Sequence, residues 1–249
     1  MTALVVLPTW NERGTIAAAV EGVLRQPGGF RVLVVDDASP DGTGEAANAL
    51  AKEHAGRVEV LHRPRKEGLG RAYAAGFARA LETGADLVFQ MDADLSHDPA
   101  ALPALRAPLE KGDADLVLGS RYCAGGGTAG WSLPRRLLSR WGSFYARTWL
   151  RTRIRDMTGG FKGWRREALA AAEPATAAAR GYAFQVETTF RALRAGARVV
   201  EVPILFAERA AGRSKMTLGV ALEAAWRVPL LAFAPPAVRT MAAGREARA

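Results

Sequence analysis

The sequence predicts an α/β fold, a mostly parallel sheet with helices on both faces. Two observations predict it. Apolar runs of strand length alternate with helical patterns of about 10–15 residues, the mark of βαβ units. Three polar motifs, Pro8–Glu12, Asp36–Thr43 and Asp92–Asp94, each follow such a run directly. In a parallel sheet those segments share one edge, where open α/β sheets place their ligands.

The elements follow in order. Ala3–Leu7 is an apolar strand, ending in Pro8-Thr9-Trp10-Asn11-Glu12, and a helical pattern runs from about Thr15 to Arg25. Arg31–Val35 is the second strand, ending in Asp36-Asp37-Ala38-Ser39-Pro40-Asp41-Gly42-Thr43, with a helix from Gly44 to His54. Val58–His62 is the third strand, and Gly68-Leu69-Gly70 opens a helix to Leu81. Leu87–Met91 has the length of a buried strand and runs into Asp92-Ala93-Asp94. Asp98-Pro99 reads as a helix start, with Asp98 as N-cap. Leu116–Ser120 is the fifth strand. Further on come a short strand after Asp156–Gly160, a helix near Arg166–Ala172 and another from Gly181 to Gly196. Short strands at Arg198–Val202 and Ile204–Ala207, the basic loop Arg209–Lys215 and a last helix to Phe233 complete the pattern. Residues 1–238 read as a single domain, and 239–249 as a disordered tail.

The bulk numbers narrow the function classes. With 249 residues, 49% hydrophobic and 24% charged, the chain can bury one substantial core. The single Cys123 rules out an internal disulfide. The chain enters a strand almost at once, so no signal peptide is expected. The best apolar stretch, Val220–Phe233, is broken by Glu223, Arg227 and Pro229, so no membrane span is expected either. The net charge of +9 implies an anionic partner: nucleic acid, phosphorylated substrate or membrane surface. There is no Gly-x-Gly-x-x-Gly after the first strand and no Gly-Lys-Ser/Thr loop, which argues against dinucleotide and P-loop sites.

The segment 131–155 is unlike the rest. It holds seven Arg, no acid and three of the six Trp. On a helix from Pro134, residues Leu137, Leu138, Trp141, Phe144, Tyr145 and Trp149 fall on one side. Arg136, Arg140, Arg147 and Arg151 fall on the other. Two readings stand: a helix packed on the core with a solvated basic face, or an amphipathic interfacial helix lying on an anionic bilayer. Aromatics interleaved with Leu do not suit a nucleic-acid surface.

The motifs describe a site for a nucleotide diphosphate and a second anionic substrate. Asp92 and Asp94 are hard oxygen donors suited to Mg²⁺ or Mn²⁺ on a pyrophosphate. Arg121 follows the fifth strand, and Arg209 and Lys215 are cations on a loop expected to be mobile and to cover phosphates.

With these motifs the chain resembles the polyprenol-phosphate (dolichol-phosphate) mannosyltransferases, inverting family-2 glycosyltransferases of the GT-A (Rossmann-like) fold. The resemblance runs from about Ala3 to Thr217. It rests on Leu7–Glu12, Val35–Thr43, Met91–His97, Gly119-Ser120-Arg121-Tyr122, Gly159-Gly160-Phe161-Lys162 and Arg209-x-x-Gly212-x-Ser214-Lys215. It implies GDP-mannose as donor, contacted by Pro8, Trp10, Glu12, Val35, Asp37, Asp92, Ala93, Asp94, Arg209 and Lys215. It implies a metal on Asp94, with Asp92 and Ser96 as further candidates. Arg121, Arg135 and Ser139 would hold the phosphate of a polyprenyl or dolichyl acceptor. The catalytic group would be Asp94, Arg121, Arg209 and Lys215. Two positions depart from the pattern: Trp10 stands where the family usually has Tyr, and Ser96 where some relatives carry Gln. The resemblance is to the short, peripheral type, at the cytoplasmic face of the cell membrane.

A phosphate monoester is already an anionic nucleophile, so transfer to it needs positioning and charge stabilisation rather than a strong general base. A polyprenyl-phosphate glucosyltransferase or another family-2 enzyme using a UDP-sugar is the nearest alternative. A nucleotidyltransferase would need a Gly-rich basic loop that Pro8–Glu12 is not. A basic module binding membrane or nucleic acid would leave Asp37, Asp92 and Asp94 unexplained.

Overall fold

The computed structural model describes residues 1–177, 179, 181, 183–208 and 218–233, the last without the side chains of 218–224. The predicted βαβ order is present: β1 (Ala3–Thr9), α1 (Ile16–Leu24), β2 (Arg31–Asp36), α2 (Thr43–Glu53), β3 (Val58–His62), α3 (Leu69–Glu82), β4 (Leu87–Gln90), α4 (Leu102–Lys111) and β5 (Leu116–Ser120). Then come β6 (Gly127–Thr128), α5 (Leu133–Trp149), β7 (Lys162–Arg165), α6 (Arg166–Ala171), α7 (Ala183–Arg194), β8 (Val199–Pro203), β9 (Leu205–Phe206) and α8 (Leu218–Phe233).

Seven strands form one sheet in the order β3-β2-β1-β4-β7-β5-β8, parallel except for β7. The central strands β1, β2, β4 and β5 are mostly apolar because both faces are covered. On one face Ile16, Val20, Leu50, Leu102 and Leu105 of α1, α2 and α4 pack with Val5, Leu7 and Phe89. On the other, Tyr73, Phe77, Ala146, Leu169 and Phe184 of α3, α5, α6 and α7 pack with Leu4, Val6 and Trp164. Antiparallel β7 fits between β4 and β5 because Gly163, opposite Phe89, has no side chain. A Cβ there would lie 2.6 Å from the Phe89 ring.

Chain order reverses at β1, which has β2 on one side and β4 on the other. That is the switch point at which such sheets bind ligands. Thr9 stands opposite Asp36, and the Met91 amide donates to the Val6 carbonyl at 3.2 Å, so the three motif-bearing loops leave neighbouring strands. A short parallel pair, β6 with β9, lies apart from the main sheet.

The helix of segment 131–155 docks the other way round from a core-packed amphipathic helix. Ser139, Ser143 and Ala146, at helical spacing, are its buried residues. Leu137, Leu138, Trp141, Phe144 and Trp149 are exposed, Trp141 at 56% and Phe144 at 58%. Small side chains let α5 approach the body closely, and the large apolar ones are left in solvent. Only Tyr145 among them turns inward, donating its hydroxyl to the Ala225 carbonyl at 2.6 Å.

Candidate active site

The first two loops are built as one unit. Three successive amides of the β1 loop donate to side chains of the β2 loop: Asn11 to Ser39 Oγ at 3.1 Å, Glu12 to Thr43 Oγ1 at 2.9 Å and Arg13 to Asp41 Oδ2 at 3.2 Å. This is why Ser39, Asp41 and Thr43 are small polar residues: they satisfy backbone donors that no helix or strand reaches. Asp41 also accepts from the Thr43 amide and hydroxyl. Asp37 lies buried beside them, ion-paired with Arg63, which also holds Glu67. Burial raises the Asp37 carboxyl above its ordinary value, against the opposing charge of Arg63. Pro8 and Val35 are buried strand-end neighbours. The Lys66 ammonium sits 2.9 Å from the centre of the Trp10 ring, where a base could otherwise stack.

The third loop carries the paired carboxylates. Asp92 Oδ1 accepts from the Tyr73 hydroxyl at 2.8 Å, and the Asp92 amide donates to His97 Nδ1 at 3.1 Å. His97 is wedged between Phe161 and Phe206 at ring distances of 4.9 and 5.0 Å. Asp94 is 4% exposed, and its Oδ1 accepts from the Ser96 amide at 3.1 Å and hydroxyl at 2.5 Å. Ser96 therefore orients the carboxylate of Asp94, with its own hydroxyl proton committed there. Ala93 is buried between the two acids. Asp98 caps the following 3₁₀ turn through Ala100 N at 2.9 Å. Asn11, Ala38 and Leu95, one in each loop, adopt φ of 59°, 57° and 62°. Left-handed backbone at a non-glycine residue costs about 1 kcal/mol and concentrates at functional sites.

A second group gathers around Trp131 and Tyr122. Arg121 donates to both oxygens of Asp156, at 2.7 Å each, and to Thr158 Oγ1 at 2.9 Å. At 8% exposure it is a buried ion-pair residue, and a phosphate would have to share it with Asp156. Arg135 stacks over the Trp131 ring at 4.1 Å and reaches Glu208 at 3.3 Å. Ser139 accepts from the Tyr122 hydroxyl at 2.7 Å. Trp131 Nε1 is buried without a hydrogen-bond partner among the described residues, a donor left beside two arginines. Phe206 touches both groups, at 5.0 Å from His97 and 5.2 Å from Trp131. Arg209 and Lys215 lie outside the described residues.

Residues 4–171 match the family model described as glycosyl transferase family 2. The chain belongs to that family. It is 44% identical over 224 residues to the undecaprenyl-phosphate mannosyltransferase of Micrococcus luteus, covering 90% of this chain and 91% of that one. It is 43% identical over 225 residues to the polyprenol monophosphomannose synthase of Mycolicibacterium smegmatis, covering 90% and 84%. Among solved structures, glucosyl-3-phosphoglycerate synthase of Mycobacterium tuberculosis, crystallised with Mn²⁺, UDP and glucosyl-3-phosphoglycerate, superposes with a TM-score of 0.64 at 22% identity, over 92% of this chain and 78% of that one. A Pyrobaculum calidifontis mannosyltransferase in complex with GDP-Man and Mn²⁺ gives 0.57 at 20%, over 85% and 58%. These structural likenesses carry the fold, the GT-A arrangement expected from the motifs.

In this family-2 glycosyltransferase the carboxylate pair suits a hard divalent cation. Among the described residues no group of three or more His, Cys, Asp or Glu could hold a metal by itself. A cation on Asp92 and Asp94 would draw its remaining ligands from donor phosphates and water, as Mg²⁺ and Mn²⁺ commonly do.

Two further polar residues stand beside the site: Gln185, which no sequence motif marks, and Lys162, which reads in sequence only as the end of Gly159-Gly160-Phe161-Lys162. Lys162 is fully buried on β7, its Nζ donating to the Gln185 carbonyl at 2.8 Å and Thr189 Oγ1 at 2.9 Å. Burial lowers its pKa to about 7, against the opposing pull of Asp156. An unfolded lysine holds its proton to about pH 10.4. Between those values the unfolded chain carries a proton the folded chain lacks, so stability rises with pH. Lys162→Met should remove that rise. Urea unfolding of both proteins at about pH 7 and about pH 9 checks it. An unchanged pH slope in the variant would contradict the assignment.

Proposed function

We propose that this glycosyltransferase moves mannose from GDP-mannose to the phosphate of a polyprenyl monophosphate, with inversion, giving a β-linked polyprenyl phosphate mannose. The observation that carries the proposal is identity above 40% to two polyprenyl-phosphate mannosyltransferases across 90% of the chain. The site agrees with it. The joined loops of β1 and β2, with Trp10, Glu12 and Asp37, would hold the nucleoside at the switch point. Asp92 and Asp94 would hold a Mg²⁺ or Mn²⁺ ion, whose chemistry is to offset charge on the leaving diphosphate. Ser96 and Tyr73 orient those acids. Arg135, Ser139 and the Trp131 N–H supply donors for the acceptor phosphate, with Arg121 held ready by Asp156. We assign Arg209 and Lys215 to the donor phosphates on the motif alone.

The acceptor brings a long hydrocarbon tail, and the exposed face of α5 gives it a place to meet the bilayer. No helix among the described residues is long and apolar enough to cross a membrane. Fully burying one Trp or Phe side chain gains about 1.5–3 kcal/mol, and each Arg near an anionic leaflet adds about 1 kcal/mol, screened by salt. Trp141→Ser with Phe144→Ser should therefore weaken vesicle binding and transfer to long-chain acceptors about tenfold or more. Because both side chains are exposed, the melting temperature and transfer to a short, water-soluble polyprenyl phosphate should hold. Equal loss with both acceptors would place the membrane contact elsewhere.

A panel of nucleotide sugars offered with one short polyprenyl phosphate tests the donor. GDP-mannose should exceed UDP-glucose, UDP-galactose and GDP-glucose in kcat/KM. A preference for a UDP-sugar would overturn the donor assignment and leave the family intact.

A further inference from the structure

We infer that Gln185, at the start of α7, is a specificity-determining residue whose side-chain N–H binds a hydroxyl of the transferred hexose in the space over Gly160. The inference deepens the mannosyl-transfer reading and rests on it.

A chain of hydrogen bonds orients Gln185. The indole of Trp164 can only donate, and it donates to Gln90 Oε1 at 3.1 Å. The Gln90 amide is thereby fixed, and its Nε2 donates to Gln185 Oε1 at 2.7 Å. That leaves the Gln185 Nε2, two N–H donors, at the far end, and it makes no hydrogen bond to a described residue. Lys162 holds the main chain behind it through the Gln185 carbonyl. All four residues of this chain, Trp164, Gln90, Gln185 and Lys162, are buried. The amide has no freedom to flip without leaving an indole N–H or a carbonyl unpaired.

The free end points into the site. A Cβ built on Gly160 would lie 3.7 Å from Gln185 Nε2, 3.7 Å from His97 Cε1 and 3.9 Å from Asp92 Oδ2. One spot is thus bordered by a donor and by an acceptor, the acceptor belonging to the carboxylate pair. An ionised phosphate oxygen there would have no proton to give Asp92 Oδ2. A hydroxyl fits both, accepting from Gln185 and donating to Asp92. In a donor whose pyrophosphate lies at the carboxylates, the sugar is the part that offers hydroxyls at that distance. Hexoses that differ at one carbon would be told apart by whether a hydroxyl reaches this pair, and such polar readout discriminates more strongly than apolar fit.

Two variants test this together. Gly160→Ala puts a methyl where the hydroxyl would sit. Its neighbours are all at ordinary contact distance and Gly160 does not need a positive φ, so the variant should fold and bind GDP as the wild type does. Gln185→Leu removes the donor. With GDP-mannose both should lose tenfold or more in kcat/KM while GDP affinity holds. The decisive arm uses GDP-mannose analogues lacking one hydroxyl at a time. Wild type should reject one analogue tenfold or more, and Gln185→Leu should treat that analogue and GDP-mannose alike. If Gly160→Ala transfers mannose as well as the wild type, or if Gln185→Leu loses the same factor on every analogue, the inference is overturned. If the wild type uses no GDP-sugar at all, the donor assignment fails first, which is a different result.

Discussion

Asp94→Ala should abolish transfer and leave the chain folded. The carboxylate is buried at 4% exposure, and its Oδ1 takes two hydrogen bonds from Ser96. Its loss strands those donors, at a cost of about 1–3 kcal/mol of stability. The activity loss should be larger, about 3–5 kcal/mol of transition-state stabilisation, or roughly 10²–10⁴ in rate. Asp94→Asn separates the two effects. It keeps an oxygen for Ser96 and removes the charge, so stability should return and activity should not. Melting temperature and single-turnover rate, measured on both variants, check the pair. Near-normal turnover in either, with metal still required, would contradict the role given to Asp94.

Asp156→Ala should strongly destabilise the fold. Asp156 is fully buried and accepts from the amide, Nε and Nη2 of Arg121. Removing it leaves a buried guanidinium without its counter-charge, which costs about 3–5 kcal/mol. For a domain of this size that lowers the melting temperature by on the order of 10 °C. Arg121→Met with Asp156→Leu should recover most of the stability, since no buried charge is then stranded. Burial works to raise the Asp156 pKa, but the Arg121 charge and hydrogen bonds outweigh it and hold it below the ordinary carboxylate value. The folded pKa is therefore below the unfolded one. The contribution is full above about pH 4 and is lost as pH falls through the folded value. Thermal melts of the single and double variants, with an acid titration of the wild type, measure all three.

Much of this was legible from residues in order, and the reasons are physical. Strands buried on both faces are mostly apolar, so β1, β2, β4 and β5 and the loops after them could be placed directly. The loops' inner construction could not. Nothing marks Ala38 or Leu95 as left-handed, and Ser39, Asp41 and Thr43 act on amides from a loop about 30 residues earlier, as their partners Asn11, Glu12 and Arg13 record. Short β7 was expected as a strand, but its antiparallel place between β4 and β5 depends on Gly163 meeting Phe89. The amphipathic pattern of α5 was plain, yet periodicity alone does not say which face docks. Ser139, Ser143 and Ala146 decided that. Arg121 reads in sequence as an open cation after a strand, and its partner Asp156 lies 35 positions away. Gln185 gains its role only through Gln90 and Trp164, which sequence spacing does not connect.

The proposed enzyme transfers a sugar, not a nucleotide, to a lipid phosphate. This transfer is tested most directly by incubating the enzyme and a polyprenyl phosphate with two batches of GDP-mannose, one labelled in the sugar and one in the guanosine, and counting label extracted with the lipid. The expected result is sugar label in the lipid, one mannose per phosphate in β linkage, and all guanosine label left in water as GDP. Guanosine label in the lipid, or no lipid product from a folded enzyme supplied with Mg²⁺ and Mn²⁺, would contradict it.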